Sequence, residues 1–175
     1  MVFDGYGVDK RHCESLLELT NYMLRSFKYR LPHMNESNLG LFPHTDTTYF
    51  SILHQNNVTG LQIKLKNGEW VDVYPSHSMF LILAGDAFKV WSNDRIRPCE
   101  HRVIIREKKE RYSMGLFSFG RNMVQTQEEL IDEEHPKRYK PFDHYGYLRF
   151  YRTEKALKSK CRIKEYCGID YSDEN

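Results

Sequence analysis

The chain has 175 residues, of which 40% are hydrophobic and 29% are charged. Its formal net charge of +2 supplies no excess of basic side chains for a nucleic acid backbone. No stretch of about 18 apolar residues could span a membrane, and the N-terminus lacks the apolar middle of a secretory signal. We therefore expect one cytoplasmic domain over residues 1–175, with no nucleic acid, membrane or protein partner.

The first part of the chain changes from a helical to a β-type pattern. Apolar side chains recur at helical spacing between residues 11 and 26, which predicts an amphipathic helix there. From about residue 25 to residue 119, short runs of β-forming residues alternate with turns. These runs predict eight strands, over residues 25–31, 39–44, 48–54, 60–65, 69–74, 78–83, 100–106 and 111–119.

Two local signals refine the predicted β region. Asn67-Gly68 separates two of the runs and predicts a tight hairpin, because both residues tolerate a positive φ. The uniformly apolar residues 79–83 predict a fully buried strand. Eight short strands with turns between them favour a mainly β fold, a cupin-like jelly roll with flanking helices.

The remainder, from about residue 125 to residue 175, is charged and mixed in composition. We expect it to wrap around the β core rather than to form a second domain. It contains two candidate helices, near residues 126–134 and 153–160.

Three side chains of the predicted β region could bind one metal ion. His44 and Asp46 lie two residues apart, and on a strand such residues share a face. His101 begins another predicted strand. Two histidines and one carboxylate on one side of a metal leave positions open, an arrangement suited to non-haem ferrous oxygenases. Each residue alone is a weak signal, since a lone histidine on a strand is usually a surface or core residue.

Arg111 and Ser113 strengthen the metal hypothesis because they share one strand face downstream of His101. A guanidinium beside a hydroxyl can bind the distal carboxylate of a dicarboxylic acid through charge-assisted hydrogen bonds. The alternative is a surface ion pair between Arg111 and Glu107 or Glu110.

The order HTD, a distant histidine and R-x-S resembles the plant 2-oxoglutarate- and Fe(II)-dependent dioxygenases of specialised metabolism. The strings FSILHQNNVTGLQIK, AGDAFKVWSN and HPKRYKPFDHYGYLRFY are similar to the AOP-like branch, which modifies glucosinolate side chains. The resemblance implies a double-stranded β-helix that hydroxylates, desaturates or cleaves a small plant metabolite. It also implies Fe(2+) as cofactor, 2-oxoglutarate and dioxygen as co-substrates, succinate as product and ascorbate as a supporting reductant.

Carried onto this sequence, the resemblance implies that His44, Asp46 and His101 ligate iron. Arg111 and Ser113 would hold the C5 carboxylate of 2-oxoglutarate, and Tyr29 would contact the same molecule. Many relatives carry an asparagine two residues before that tyrosine, whereas this chain has Phe27.

Four aromatic residues are candidates for the substrate wall. Phe117 and Phe119 continue the face of Arg111, while Phe42 and Tyr49 flank the ligand residues. Each is equally compatible with ordinary core packing.

The usual N-terminal helical portion of the resembled family is expected to be absent, since the chain begins nearly at the helix that precedes the strand of Tyr29. This leaves two alternatives to an active dioxygenase. One is a catalytically impaired fragment that keeps the metal site. The other is a cupin-like metal protein without oxygenase activity, although such a protein has no need of Arg111 and Ser113.

Overall fold

The computed structural model describes residues 2–74, 76 and 78–170. Most of its strands belong to two four-stranded antiparallel sheets. One sheet contains, in spatial order, β1 (Thr20–Tyr29), β8 (Arg111–Gly120), β3 (Phe50–Gln55) and β6 (Leu81–Ala84). The other contains β2 (Leu39–His44), β7 (His101–Ile104), β4 (Leu61–Lys64) and β5 (Trp70–Asp72).

This two-sheet architecture confirms the predicted jelly roll. Each of the eight predicted strands overlaps one strand of the two sheets. The hairpin at Asn67-Gly68 joins β4 to β5, and Gly68 has the positive φ of 89° that such a turn requires. A short additional pair joins β9 (Met123–Val124) to β10 (Phe142–Asp143).

Six short α-helices flank the sheets within the described residues. They are α1 (Val2–Gly5), α2 (Lys10–Glu18), α3 (Asp86–Trp91), α4 (His144–Phe150), α5 (Glu154–Lys158) and α6 (Arg162–Cys167). In this part of the chain, no helix has the length and apolar character needed to cross a bilayer.

The predicted helix over residues 11–26 is wrong in its second half. Helix α2 ends at Glu18, and β1 begins at Thr20. Strand β1 then pairs with β8 along its whole length, with Tyr29 opposite Arg111 at the far end. The last apolar residues of the predicted helix, Tyr22, Met23 and Leu24, instead alternate between the two faces of the sheet, so long-range pairing outweighs the local pattern.

The prediction of a fully buried strand over residues 79–83 is also wrong. Among the residues that the structure describes, strand β6 is an edge strand that pairs on one side only, with β3. Phe80 and Ile82 are each 67% exposed. The uniformly apolar sequence of residues 79–83 therefore does not mean that both faces of this strand are buried. One face is directed inward, and the other is apolar but exposed.

The predicted helix near residues 126–134 is reduced to one 3-10 turn, Glu128–Leu130. Helix α5 confirms the prediction near residues 153–160, whereas α3, α4 and α6 were not predicted. The C-terminal segment contributes to the larger buried apolar cluster, which packs α3 against residues Val124, Leu130, Tyr139, Phe142, Tyr147, Ile163 and Cys167. A smaller cluster between the sheets centres on Leu61, Val103 and Ile105.

Candidate metal and co-substrate site

A loop at the end of β2 places the first two candidate ligands. The sequence suggested that His44 and Asp46 share one strand face. Strand β2 instead ends at His44, so Asp46 lies in the loop beyond the strand. The first turn of α3 holds this loop in place. The N–H groups of Asp86 and Ala87 donate to the carbonyl oxygens of Asp46 and Thr48, at 2.8 and 3.1 Å. The first N–H groups of a helix have no partner within the helix. Here the backbone carbonyl groups of the loop accept hydrogen bonds from them.

His101 enters the site from β7, which pairs with β2 so that His44 and His101 lie opposite each other. The Nε2 atoms of His44 and His101 are 3.6 and 3.9 Å from Oδ1 of Asp46. One ligand atom from each of the three residues lies within 4.8 Å of the others. The structure thus brings the three predicted ligand side chains to one point.

Hydrogen bonds orient each of these side chains toward the common point. The Nδ1 atoms of His44 and His101 lie 2.7 and 2.9 Å from the carbonyl oxygens of Phe42 and Cys99. If Nδ1 carries the proton, Nε2 keeps a free lone pair for a metal. The Ser51 hydroxyl donates to Oδ2 of Asp46 at 2.6 Å, which leaves Oδ1 facing the imidazoles.

The charges of the three groups depend on one another. Burial lowers the pKa of His44, but the Asp46 carboxylate and the Phe42 carbonyl outweigh burial, and the net pKa is raised. Burial raises the pKa of Asp46, but the two histidines and Ser51 reverse this effect and lower it. Burial dominates at His101 and lowers its pKa. Near neutral pH the site therefore contains a carboxylate and a neutral His101, both competent to ligate a metal.

Arg111 lines a cavity that also contains the three candidate metal ligands. Its guanidinium has donor atoms without a hydrogen-bond partner in the described structure. The residue is 2% exposed, and its Nε and Nη1 atoms have no hydrogen-bond partner among the described residues. Its Nη2 donates to the side-chain oxygen of Gln55, and its guanidinium carbon lies 4.9 Å from the centre of the Tyr29 ring. Burial lowers the pKa of Arg111. A buried guanidinium with two unpaired nitrogen donors is suited to binding an anion.

The alternative ion pairs of Arg111 are not formed. Glu110 binds Lys28 instead, with 2.9 Å between the charged atoms, and Glu107 accepts from Thr59 at 2.8 Å. Both acids lie outside the lining of the cavity that contains Arg111.

The cavity between the two sheets has a volume of about 310 Å³. Its lining includes the three candidate metal ligands together with Arg111, Ser113 and Tyr29. Phe27 also lines it. The cavity thus contains the complete set of residues expected for metal and co-substrate.

The four candidate substrate-wall residues separate into two pairs. Phe117 and Phe119 line the cavity. Phe42 does not, because register shifts in β2 between Leu41 and His44 interrupt the alternation and leave Phe42 76% exposed. Tyr49 is 5% exposed and packs in the larger apolar cluster, 5.9 Å from the His144 ring. The expectation that these two residues line the substrate cavity is therefore wrong.

A family model described as the 2OG-Fe(II) oxygenase superfamily matches residues 19–120. That segment is more than half of the chain and contains the two histidines, Asp46, Arg111 and Ser113. The chain belongs to the 2OG-Fe(II) oxygenase superfamily. Membership agrees with the jelly roll and with the grouping of the five motif residues in one cavity.

Known members of the superfamily resemble this chain in sequence and in structure. The probable 2-oxoglutarate-dependent dioxygenase AOP1 of Arabidopsis thaliana is 39% identical over 160 residues, which are 88% of this chain and 53% of that protein. The rice dioxygenase for auxin oxidation superimposes with a TM-score of 0.79 at 25% identity, covering 96% of this chain and 56% of the other. JOX2, solved in complex with 2OG, Fe and JA, gives a TM-score of 0.82 at 26% identity, with coverages of 96% and 51%.

These relatives confirm the AOP-like plant branch that the sequence strings indicated. The chain spans about half the length of the curated relatives it matches, as the AOP1 coverage of 53% shows.

Some residues that contact the candidate metal and co-substrate site carry no recognisable sequence signal. Ser51 and Gln55 belong to an ordinary strand pattern, and only the fold shows that they contact Asp46 and Arg111. The C-terminal segment also reaches the metal loop. The Tyr151 hydroxyl donates to the carbonyl oxygen of Thr45 at 3.1 Å, and Nε2 of His144 lies 2.9 Å from that of Thr47. These contacts span about a hundred residues of sequence, so no local motif could reveal them.

Proposed function

We propose that this chain carries the catalytic centre of an Fe(II)- and 2-oxoglutarate-dependent dioxygenase that oxidises a small plant metabolite. The observation that carries the proposal is the arrangement in one cavity of the His44, Asp46 and His101 triad with the partly unpaired guanidinium of Arg111. A metal-binding protein without co-substrate has no use for a buried cation of this kind.

The donor set fits the two groups that such an enzyme needs. His44, Asp46 and His101 would hold Fe(II) on one side, leaving positions for co-substrate and dioxygen. Iron bound with 2-oxoglutarate supplies the oxidation of a C–H bond by dioxygen, coupled to decarboxylation of 2-oxoglutarate to succinate. Ascorbate would support turnover.

The remaining residues would bind and orient. The unpaired Nε and Nη1 donors of Arg111 would pair with the C5 carboxylate of 2-oxoglutarate, beside the hydroxyls of Ser113 and Tyr29. The Nδ1 contacts of the histidines and the hydrogen bond from Ser51 would keep the ligand atoms aimed at the metal. The apolar walls, including Phe117 and Phe119, would exclude water from the reacting C–H bond.

The test measures both binding and turnover in the full chain. Titration calorimetry with Mn(II) present gives the 2-oxoglutarate affinity, and succinate release with Fe(II), ascorbate and a metabolite panel gives activity. We expect Arg111→Met to weaken 2-oxoglutarate binding at least tenfold, whereas Arg121→Met, which removes an exposed arginine outside the cavity, has no such effect. Equal 2-oxoglutarate affinity in the wild-type protein, Arg111→Met and Arg121→Met would contradict the proposal.

Succinate release separates the proposed enzyme from a catalytically impaired form that only retains the metal site. Activity that His101→Ala reduces at least a hundredfold supports the enzyme. Metal and 2-oxoglutarate binding without turnover on any metabolite supports the impaired form. A single domain over residues 1–175, a cytoplasmic location and the lack of a protein partner stay predictions.

A further inference from the structure

A second cavity, which we call the basic cavity, adjoins the metal loop. It has a volume of about 650 Å³, and among the described residues it shares only His44, Thr45 and Tyr151 with the lining of the cavity between the sheets. Six lysine and arginine residues line it, against three acidic residues. The positively charged residues are Lys89, Arg97, Arg138, Lys160, Arg162 and Lys164. The basic cavity therefore has an excess of positive charge, which the proposed function does not use.

Three of these cations converge on one carboxylate, that of Asp94. Nη1 of Arg138 donates to its Oδ2 at 3.2 Å. The Nζ atoms of Lys89 and Lys164 lie 3.4 and 3.6 Å from its oxygens, and the Tyr139 hydroxyl donates to Oδ1. Burial raises the pKa of Asp94, but these four partners outweigh burial and lower it. Three positive charges from separate parts of the chain thus surround one negative charge.

The two lysines of this group keep hydrogen-bond donors that the described chain does not use. Their ion pairs with Asp94 are charge contacts without hydrogen-bond geometry, and neither ammonium group donates a hydrogen bond to any other described residue. The side chain of Lys89 is only 18% exposed, so water reaches it poorly. Because an ammonium group has three N–H donors, a ligand with several acceptor oxygens would satisfy both lysines.

The other two acids of the lining do not balance the excess charge. Asp86 is 4% exposed, and a hydroxyl group of α4 donates to its carboxylate at 2.7 Å. Glu100 pairs with Lys64, which lies outside the basic cavity, at 3.0 Å. Arg97 and Lys160 are exposed and form no ion pair or hydrogen bond within the described residues. They add further positive potential to the basic cavity.

We propose that the basic cavity binds a phosphate dianion, either free phosphate or the phosphate group of a small organic monoester, through Lys89, Arg138 and Lys164. These three cations leave an excess of two positive charges over Asp94, and a phosphate group carries about two negative charges near neutral pH. Ammonium groups bind phosphate as point charges, whereas a planar carboxylate is matched best by a guanidinium fork. The cavity volume is that of a small-molecule site.

The test measures anion binding by calorimetry on the full chain without added metal, so that no anion binds through a metal ion. The probes are inorganic phosphate, adenosine monophosphate and the monovalent oxyanion nitrate. They are compared at equal ionic strength and at about pH 8, which is above the second pKa of a phosphate group.

Four variants locate the bound phosphate. Lys164→Met removes a cation whose side chain is 52% exposed, and Asp94→Asn removes the negative charge but keeps an acceptor for the Tyr139 hydroxyl. Lys66→Met, at an exposed position between β4 and β5, is the matched loss of one positive charge outside the basic cavity. Arg111→Met tests whether phosphate binds in the cavity between the sheets instead.

We expect the wild-type chain to bind phosphate at least tenfold more tightly than nitrate. Lys164→Met should weaken phosphate binding severalfold. Asp94→Asn should strengthen it severalfold, because the one negative charge beside the ligand is gone. Lys66→Met and Arg111→Met should leave the phosphate affinity unchanged. Tighter binding of adenosine monophosphate than of phosphate assigns the site to an organic phosphate, and weaker binding assigns it to the free ion.

Three results would overturn the proposal. They are phosphate binding no tighter than that of nitrate, loss of phosphate binding in Arg111→Met, and a phosphate affinity that neither Lys164→Met nor Asp94→Asn changes. None of them bears on the proposed function, because Asp46, His101, Arg111 and Ser113 do not line the basic cavity.

Discussion

Gln55 determines how much of the Arg111 guanidinium is available to a ligand. Its side-chain oxygen accepts one N–H of Arg111, and its side-chain nitrogen lies 3.5 Å from the carbonyl oxygen of Val73. Gln55 is 8% exposed and neutral, so it orients the guanidinium without neutralising it. A carboxylate in the same place would compete directly with the co-substrate.

We therefore expect Gln55→Glu to weaken 2-oxoglutarate binding at least tenfold, because the new carboxylate pairs with Arg111 internally. Gln55→Leu should weaken binding less, since it removes the orienting contact but adds no competing charge. Calorimetric titration with 2-oxoglutarate in the presence of Mn(II) measures both effects. Gln125→Glu introduces the same charge at an exposed position and serves as the control. Tight binding by the Gln55→Glu protein would show that Arg111 is not the anchor.

At the level of secondary structure, the sequence predicted strands better than helices. Strands such as β8 are evident because their alternation and bounding turns are local. Helix α3 is only six residues long, too short for a helical period to stand out, and it follows an apolar run that already suggests a strand. Helix α2 was overextended because the first residues of β1 can also be placed on a helical face.

The site itself was predictable to the extent that its residues form a short motif. His44, Asp46, His101, Arg111 and Ser113 follow from spacing and residue type. The position of Phe42 does not, because irregular pairing in β2 changes which side chains face inward. The position of Tyr49 does not either, because the residue packs in an apolar cluster to which distant parts of the chain contribute. Residues that act through a contact distant in sequence, such as Ser51, become visible only once the sheets are assembled.

The junction between β6 and α3 controls the geometry of the metal loop. Gly85 precedes α3, and a Cβ atom at this position would lie 2.2 Å from the carbonyl oxygen of Thr48 and 2.8 Å from that of Asp46. Both contacts are with backbone, so the loop itself would have to move. The absence of a side chain at Gly85 thus allows α3 to approach the loop that carries Asp46.

Gly85→Ala should consequently lower the free energy of unfolding by about 1–3 kcal/mol, a range typical of overpacking, and weaken Mn(II) binding at least tenfold. Denaturant unfolding and metal titration measure the two effects. Gly5→Ala is the matched control, because a Cβ atom there meets nothing within 4 Å. If Gly85→Ala bound metal as the wild-type protein does, the proposed dependence of the loop on α3 would be wrong.

Helix α4 makes a pH-dependent contribution through His144, which is fully buried. Its Nδ1 accepts the N–H of Gly120 at 2.9 Å, so the ring must be neutral at that nitrogen. Burial lowers the pKa of His144 to about 4, whereas an unfolded histidine titrates near pH 6.5. The unfolded chain thus binds a proton at a higher pH than the folded chain does.

The contribution of His144 to stability is complete above about pH 6.5 and is lost as the pH falls toward 4. The total loss is roughly 3 kcal/mol, at about 1.4 kcal/mol for each pH unit between the two values. Asn is a useful replacement because its side-chain oxygen can still accept from Gly120. Denaturant unfolding of metal-free protein measures the free energy of unfolding of wild type and of His144→Asn. The difference between these two free energies should shrink from pH 6.5 to pH 4. A difference that stays constant over this range would exclude a lowered pKa for His144.

On the scale of the whole molecule, the two faces of the β1-β8-β3-β6 sheet differ in their environment. One face lines the cavity. The opposite face, which we call the outer face, carries apolar side chains that are open to solvent within the described structure: Tyr22 (45% exposed), Leu24 (67%), Phe80 (67%), Ile82 (67%) and Met114 (47%). Leu116 and Ile52 lie between Leu24 and Ile82 across the paired strands. An exposed apolar patch of this kind can bind apolar ligands.

The outer face should therefore bind an environment-sensitive dye such as anilinonaphthalene sulfonate. The double substitution Leu24→Lys and Ile82→Lys places two charges in the patch and should reduce dye fluorescence at least twofold. Because both side chains are exposed, the free energy of unfolding should change by no more than about 1 kcal/mol. Leu157→Lys, at a position that is 62% exposed on α5, controls for adding a charge elsewhere. Dye fluorescence that is unaffected by the double substitution would place the dye in another site and show that the outer face is not accessible to it.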